Sequence, residues 1–189
     1  MSSKPERVMI FVDGSNLYHG LLKSIEKTKI NLTKLGERLC GNDRKLIRIY
    51  YYNAPLDRGY NPKKYKSQQK WFEKLRKTPN ISLVLVKLIK RKKKSGKPEY
   101  FIKGDDIHIA VDMIKFAYND AYDTAILVSG DGDFYPAIKV VKDKGKKIEN
   151  AYFKKSQSFL LKQKCDKSIE MDEFIKECLE QPPKKSKKS

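Results

Sequence analysis

Apolar residues fall along this chain in two alternating rhythms. Near-continuous runs occur at "RVMIFVD" (7–13), "KLIRIYYYNAP" (45–55), "NISLVLVKLIKRKKK" (80–94), "DTAILVSGDGD" (123–133) and "KIENAYF" (147–153). Such runs read as buried strands of a parallel sheet. Between them, apolar positions recur every three or four residues, the spacing of amphipathic helices. The pattern predicts helices over "SNLYHGLLKSIEK" with Ser15 as N-cap, "NLTKLGERLC" ending near Gly41, "YNPKKYKSQQKWFEKLRKT", the segment from Asp105, "FYPAIKVVKDKGK", "SQSFLLKQKC" and "MDEFIKECL". The stretch "KKKSGKPEYFIK" reads as a hairpin turning at Ser95-Gly96 and returning through Tyr100-Phe101-Ile102.

Strands alternating with helices imply an α/β fold, a mainly parallel sheet of about five strands with helices on both faces. Residues 1–180 are expected to form one domain with a basic hairpin insertion at about 90–101. Residues 181–189, "QPPKKSKKS", are expected to be a disordered lysine-rich tail. In sheets of this kind ligands bind beyond the carboxyl ends of the strands, where the strand order reverses. "FVDGSN" and "VSGDGD" both lie at such ends. If the first and fourth strands are neighbours, Asp13, Asp131 and Asp133 converge.

Each acid has two readings. Asp13 closes an apolar strand, where a carboxylate loses hydration and needs a cation or donors; it could equally accept amides of the turn that follows. Asn16 either supports a neighbouring carboxylate or simply starts a helix. Asp131 and Asp133 flank Gly132, and in an extended loop they project to one side. Paired carboxylates raise each other's pKa unless a cation compensates, and an all-oxygen site suits Mg²⁺ or Mn²⁺. The alternative makes Asp133 the cap of a helix from Phe134, and the two roles are compatible.

In the helix from Asp105, the positions Ile107, Ala110, Val111, Ile114 and Tyr118 define the expected buried stripe. At about 100° per residue, Asp106 then falls at its margin, while Asp105 and Asp112 fall nearly opposite. Asp105 is expected to cap the helix. His19 and His108 have no ligand spacing around them and read as structural or surface residues. Tyr65, Trp71 and Phe72 could stack on bases but at helical spacing read as core.

Charge narrows the partners. The 189 residues carry a formal net charge of +19, which favours a polyanion such as nucleic acid. Lys90, Arg91, Lys92, Lys93, Lys94, Lys97 and Lys103 are the candidate phosphate contacts, with a solvated hairpin tip as the plainer reading. The three cysteines show no CxxC spacing, which argues against a zinc site or disulfide framework and for a cytoplasmic, reduced protein. No run approaches the ~18 apolar residues of a membrane span, and the N-terminus has no signal-peptide pattern. Self-association is left open.

The motifs "FVDGSNL", "KGDD", "AVDM" and "DTAILVSGDGDF", in that order, closely resemble the NYN domain, the LabA-like branch of the PIN-like nuclease superfamily. The resemblance runs from about Arg7 to Phe153. It implies a PIN-like three-layer α/β/α fold and a Mg²⁺- or Mn²⁺-dependent ribonuclease site of clustered aspartates. By motif, Asp13, Asp106, Asp131 and Asp133 are the implied catalytic and metal-binding residues, with Asn16, Ser129 and Asp112 supporting. The implied activity is endonucleolytic cleavage of single-stranded or structured RNA. A non-catalytic RNA-binding module of the same fold is the alternative. A phosphatase with an aspartyl nucleophile after the first strand fits less well, because the "DxD" lies late in the chain. A Rossmann cofactor protein lacks its GxGxxG.

Overall fold

The computed structural model describes residues 4–59, 61–92 and 98–180, without the side chains of 91, 92, 98, 99 and 101–103. The expected hairpin tip and the lysine-rich tail lie outside the described residues. Eight strands and six α-helices are described: β1 Glu6–Asp13, α1 Gly14–Ile25, α2 Leu32–Cys40, β2 Arg44–Asn53, α3 Pro62–Lys77, β3 Ile81–Leu85, β4 Lys87–Lys92, β5 Pro98–Lys103, α4 Asp105–Tyr118, β6 Thr124–Val128, α5 Tyr135–Asp143, β7 Lys147–Tyr152, α6 Phe159–Lys164 and β8 Lys167–Glu170.

Six strands form one parallel sheet in the order β3-β2-β1-β6-β7-β8. The chain winds outwards from β1 to β3, then returns to β6 beside β1 and winds the other way. The strand order therefore reverses between β1 and β6, where Val12 is paired with Val128. That boundary leaves a crevice at the carboxyl ends of the two strands.

Alternate residues of β1 feed two cores, as side chains of a strand covered on both faces must. Val8, Ile10 and Val12 pack with α1, α2 and α3 through Leu17, Leu21, Leu35, Phe72 and Leu75. Met9 and Phe11 pack with α4, α5 and α6 through Ile109, Met113, Ile138, Val141 and Leu161. The result is the expected three-layer α/β/α architecture. Asp13 continues the Met9–Phe11 side of the strand and so faces the layer that holds α4.

Several elements differ from expectation. The long third strand breaks at Val86, whose amide donates to the Asn53 carbonyl. Residues beyond it leave the main sheet and pair as the antiparallel hairpin β4–β5. The alternation of "ISLVLVKLIK" continues through the break, so nothing in the pattern marks it. The sixth strand, β8, has only four residues and no apolar run. "MDEFIKECL" forms two 3-10 turns, Met171–Glu173 and Ile175–Cys178, in place of a helix.

The buried stripe of α4 is Ile109, Met113 and Ala117; of the expected stripe, Ala110 and Ile114 pack half-buried against the core, while Ile107 is 69% exposed, Val111 55% and Tyr118 59%. This helix is apolar on both sides, so periodicity alone does not choose between them. Aromatic packing beneath it does, with Phe11, Tyr50, Phe116 and Tyr122 in mutual ring contact. Phe72 is buried, and Trp71 packs on the core edge-on to Tyr51, so these two aromatics of α3 serve the core as expected, while Tyr65 is half-buried outside it.

Candidate metal centre

The site grows from the ends of β1 and β6. Asp13 is only 5% exposed, yet it is fully engaged. Its Oδ1 accepts the Asn16 amide at 2.9 Å, and its Oδ2 accepts the Ser129 hydroxyl at 3.1 Å. Asp13 is thus the N-cap of α1, the role expected of Ser15, because the helix begins at Gly14, two residues earlier than a Ser15 cap implies. Burial pushes the Asp13 carboxyl above its ordinary range, opposed by the Asn16 and Ser129 hydrogen bonds and reinforced by the charge of Asp105.

Asn16 ties the two strand ends together: its Oδ1 accepts the Gly130 amide at 3.1 Å. Ser129 is buried and also accepts the Asp131 amide at 3.2 Å. Asn150 of β7 holds the same turn from the other side, donating to the carbonyls of Leu127 at 3.1 Å and Ser129 at 2.8 Å. Asn150 was not singled out by sequence, since a lone asparagine in a strand carries no motif. The loop is pressed against the segment after β7. A Cβ at Gly130 would stand 1.6 Å from the Ser156 carbonyl oxygen, so only glycine fits.

Beyond this frame the Asp131 Oδ1 accepts the Asp133 amide at 3.0 Å and caps the 3-10 turn Gly132–Phe134. The capping role expected of Asp133 therefore belongs to Asp131, because the 3-10 turn sets the first cap one turn before α5. Asp133 is exposed.

Helix α4 brings the third part. Its N-cap is Gly104, without a side-chain cap bond, and Asp105 is its first helical residue. The expected cap at Asp105 is thus replaced, and the carboxylate is released towards Asp13. Asp106 lies three residues before Ile109, on the face that packs against the sheet. Partial loss of hydration, then the charges of Asp105, Asp13, Asp131 and Asp133 in that order, raise the Asp106 carboxyl to about 6. The Asp106 side chain is nonetheless exposed, so it stands at the open edge of the cluster. Among the described residues, no ion pair joins any of these five aspartates to a lysine or arginine.

Asp112 does not turn away from the sheet as expected. It accepts the Tyr52 hydroxyl at 2.9 Å, and Tyr52 lies beside Asp13 in the β1–β2 register. Burial and Asp112 together keep the Tyr52 phenol protonated. His19 and His108 are exposed, as expected of surface residues.

Of the basic candidates, the described side chain is Lys90, which is exposed, lies 3.4 Å from Asp57 and sits over the Tyr100 ring at 5.7 Å. The side chains of Arg91, Lys92, Lys93, Lys94, Lys97 and Lys103 lie outside the described residues. Hairpin β4–β5 leaves the carboxyl end of β3 and returns to Gly104, directly before the α4 acids. The insertion thus borders the acid site.

The donors present suit a hard divalent cation: all are carboxylate oxygens, and among the described residues no cation relieves their mutual repulsion. Among the described residues, however, no group of three acidic, histidine or cysteine side chains is arranged to hold a metal ion by itself. That is compatible with Mg²⁺, which keeps several waters and takes only one or two carboxylates directly. No described helix is long and apolar enough to cross a membrane.

Comparison with known proteins agrees with this architecture. The chain is 28% identical over 152 residues to the Low amplitude and bright protein LabA of Synechococcus elongatus, covering 76% of this chain and 72% of LabA. A crystal structure of a protein of unknown function, VPA0982, from Vibrio parahaemolyticus shares the fold with a TM-score of 0.68 and 22% identity, covering 90% of this chain and 96% of the other. The NYN domain family model matches residues 7–172, from the first residues of β1 to the turn after β8, and with the acid-bearing motifs in place the chain belongs to the NYN domain family, a PIN-like nuclease fold.

Proposed function

We propose that this chain is a Mg²⁺- or Mn²⁺-dependent endoribonuclease. The observation that carries the reading is the cluster at the topological switch point, where Asp13, Asp105, Asp106, Asp131 and Asp133 gather with no basic partner among the described residues, and where lost hydration and then the other four charges raise the Asp106 carboxyl to about 6. Asp13, Asp106, Asp131 and Asp133 would hold the cation, one or two of them directly and the others through its waters, and Asp105 adds negative charge beside them. A bound divalent ion supplies an activated water and offsets charge on the phosphoryl group being cut. The chain's own part is to fix the donors. Ser129 and Asn16 lock Asp13 to the Gly130 loop, Asn150 holds that loop to β7, and Tyr52 fixes Asp112 at the margin. Lys90 and the rest of the basic hairpin would grip phosphates of single-stranded or structured RNA, making binding salt-dependent.

Residues 1–180 would act as one domain. The three free cysteines, two of them buried, suit a reducing cytoplasm. Cleavage of a varied set of RNAs by the purified protein, with Mg²⁺ or Mn²⁺ against a chelator, tests the reading. Divalent-dependent products with internal cuts are expected. The absence of a three-ligand cluster among the described residues favours a second reading, an RNA-binding module without turnover. It predicts salt-dependent binding and no products under any divalent ion.

A further inference from the structure

Phe159 is 73% exposed, the most exposed of the large apolar side chains among the described residues, and Leu160 beside it is 39% exposed. Single exposed apolar residues are ordinary. The position of this one is not. It follows Ser158, whose hydroxyl would lie 3.0 Å from a Cβ on Gly132, between the two aspartates of the acid loop. Two residues earlier the Ser156 carbonyl touches Gly130. The backbone is fixed there: Ser158 caps α6 by accepting the Leu161 amide at 3.3 Å, and Leu161 is fully buried beneath. Phe159 is thus held on a rigid turn at the rim of the acid crevice, on the β7 side of β6. The hairpin β4–β5 borders the same end of the sheet from the β3 side.

The charge around it selects the partner. From Lys154 to Lys164 the chain carries Lys154, Lys155, Lys162 and Lys164 and no acid. All four are exposed, and the Lys155 ammonium donates to the Lys23 carbonyl at 2.8 Å. An aromatic face standing among cations is the composition of a single-strand nucleic-acid surface, in which bases stack and the backbone meets lysines.

Resting on the nuclease reading above, we propose that Phe159 is a stacking platform for one unpaired base of a single-stranded RNA, next to the phosphate that enters the acid crevice, with Lys154 meeting the backbone. The site thereby prefers unpaired RNA to duplex.

The test uses the full chain carrying Asp131→Asn, so that RNA is bound without being cut. A single-stranded RNA with 2-aminopurine placed at successive positions is titrated, alongside a duplex of the same sequence. Quenching of the probe at one position is expected. Phe159→Ala should abolish the quench and weaken single-strand binding about tenfold, the scale of one base–aromatic stack. Phe159→Trp should restore both, Phe159→Leu should not, and duplex binding should be unchanged throughout. Full binding by Phe159→Ala, or rescue by Phe159→Leu, overturns the platform while leaving the nuclease reading intact. Failure of the Asp131→Asn parent to bind any RNA overturns both.

Discussion

At the amino ends of the central strands, Glu6, Asp120 and Asp123 stand among Arg7, Lys146 and Lys147; at the carboxyl ends of the same strands, Asp13, Asp105, Asp106, Asp131 and Asp133 stand without a basic partner among the described residues. The Arg7 guanidinium lies 2.8 Å from Asp123 and 3.2 Å from Asp120. Its hydrogen bonds pull the Asp123 carboxyl down to about 2, whereas the Asp106 carboxyl is raised to about 6. One residue type, at the two ends of one sheet, is thus shifted in opposite directions. Acids that bring their own cations are satisfied and serve stability. Acids gathered without them store repulsion, which costs stability unless an ion or substrate relieves it.

The same substitution at the two ends should therefore give opposite phenotypes. Asp13→Asn and Asp131→Asn are expected to lower the rate of divalent-dependent RNA cleavage about a thousandfold or more, the scale of several kcal/mol of charge stabilisation. Asp123→Asn should leave that rate unchanged, and initial rates on one RNA substrate compare all three. Gly130→Ala should follow with a loss of about a hundredfold. Its new methyl group collides with the Ser156 carbonyl and displaces the loop that carries Asp131, without removing any acid. Retention of wild-type rate by Gly130→Ala would show that the loop's placement is unimportant.

Thermal unfolding sharpens the contrast further. Divalent ions near a hundred times their dissociation constant stabilise by about 2.7 kcal/mol, which for a domain of this size raises Tm by roughly 5–10 °C. Asp106→Asn should raise Tm in chelator, by removing repulsion, and shrink the response to Mn²⁺.

The pH dependence has opposite signs at the two ends. The Asp106 carboxyl is raised, so its ionised form costs stability, and that cost is relieved as pH falls from above 6 towards the unfolded value near 4. The Asp123 carboxyl is depressed, so its contribution is full above the unfolded value near 4 and is lost as pH falls towards 2. Asp123 is partly exposed, so Asp123→Asn should cost only about 1 kcal/mol or less. It should shift the midpoint of acid unfolding to higher pH, read by circular dichroism.

Much of the site was legible because it lies where the apolar pattern stops. "MIFVD" and "AILVSGDGD" name both their strands and the acids at their ends, and the adjacency of β1 and β6 brings these together. What was hidden depends on packing. Ile107, Val111 and Tyr118 form as regular a stripe as Ile109, Met113 and Ala117, and only the aromatic layer under α4 decides between them. That choice also turns Asp105 towards Asp13 and Asp112 towards Tyr52. Asn150 and Phe159 carry no motif at all. Their significance comes from the loop they adjoin, which the chain reaches only after folding.

Direct binding of Mn²⁺ tests the central claim, that the acids at the carboxyl ends form a cation site. Free Mn²⁺ is counted by electron paramagnetic resonance during titration of the wild-type protein, Asp131→Asn and Asp123→Asn. Saturable binding by wild type and Asp123→Asn alike, with a loss of at least about tenfold in affinity in Asp131→Asn, is the predicted result. Equal binding by all three proteins, or no saturable binding by the wild type, would contradict it.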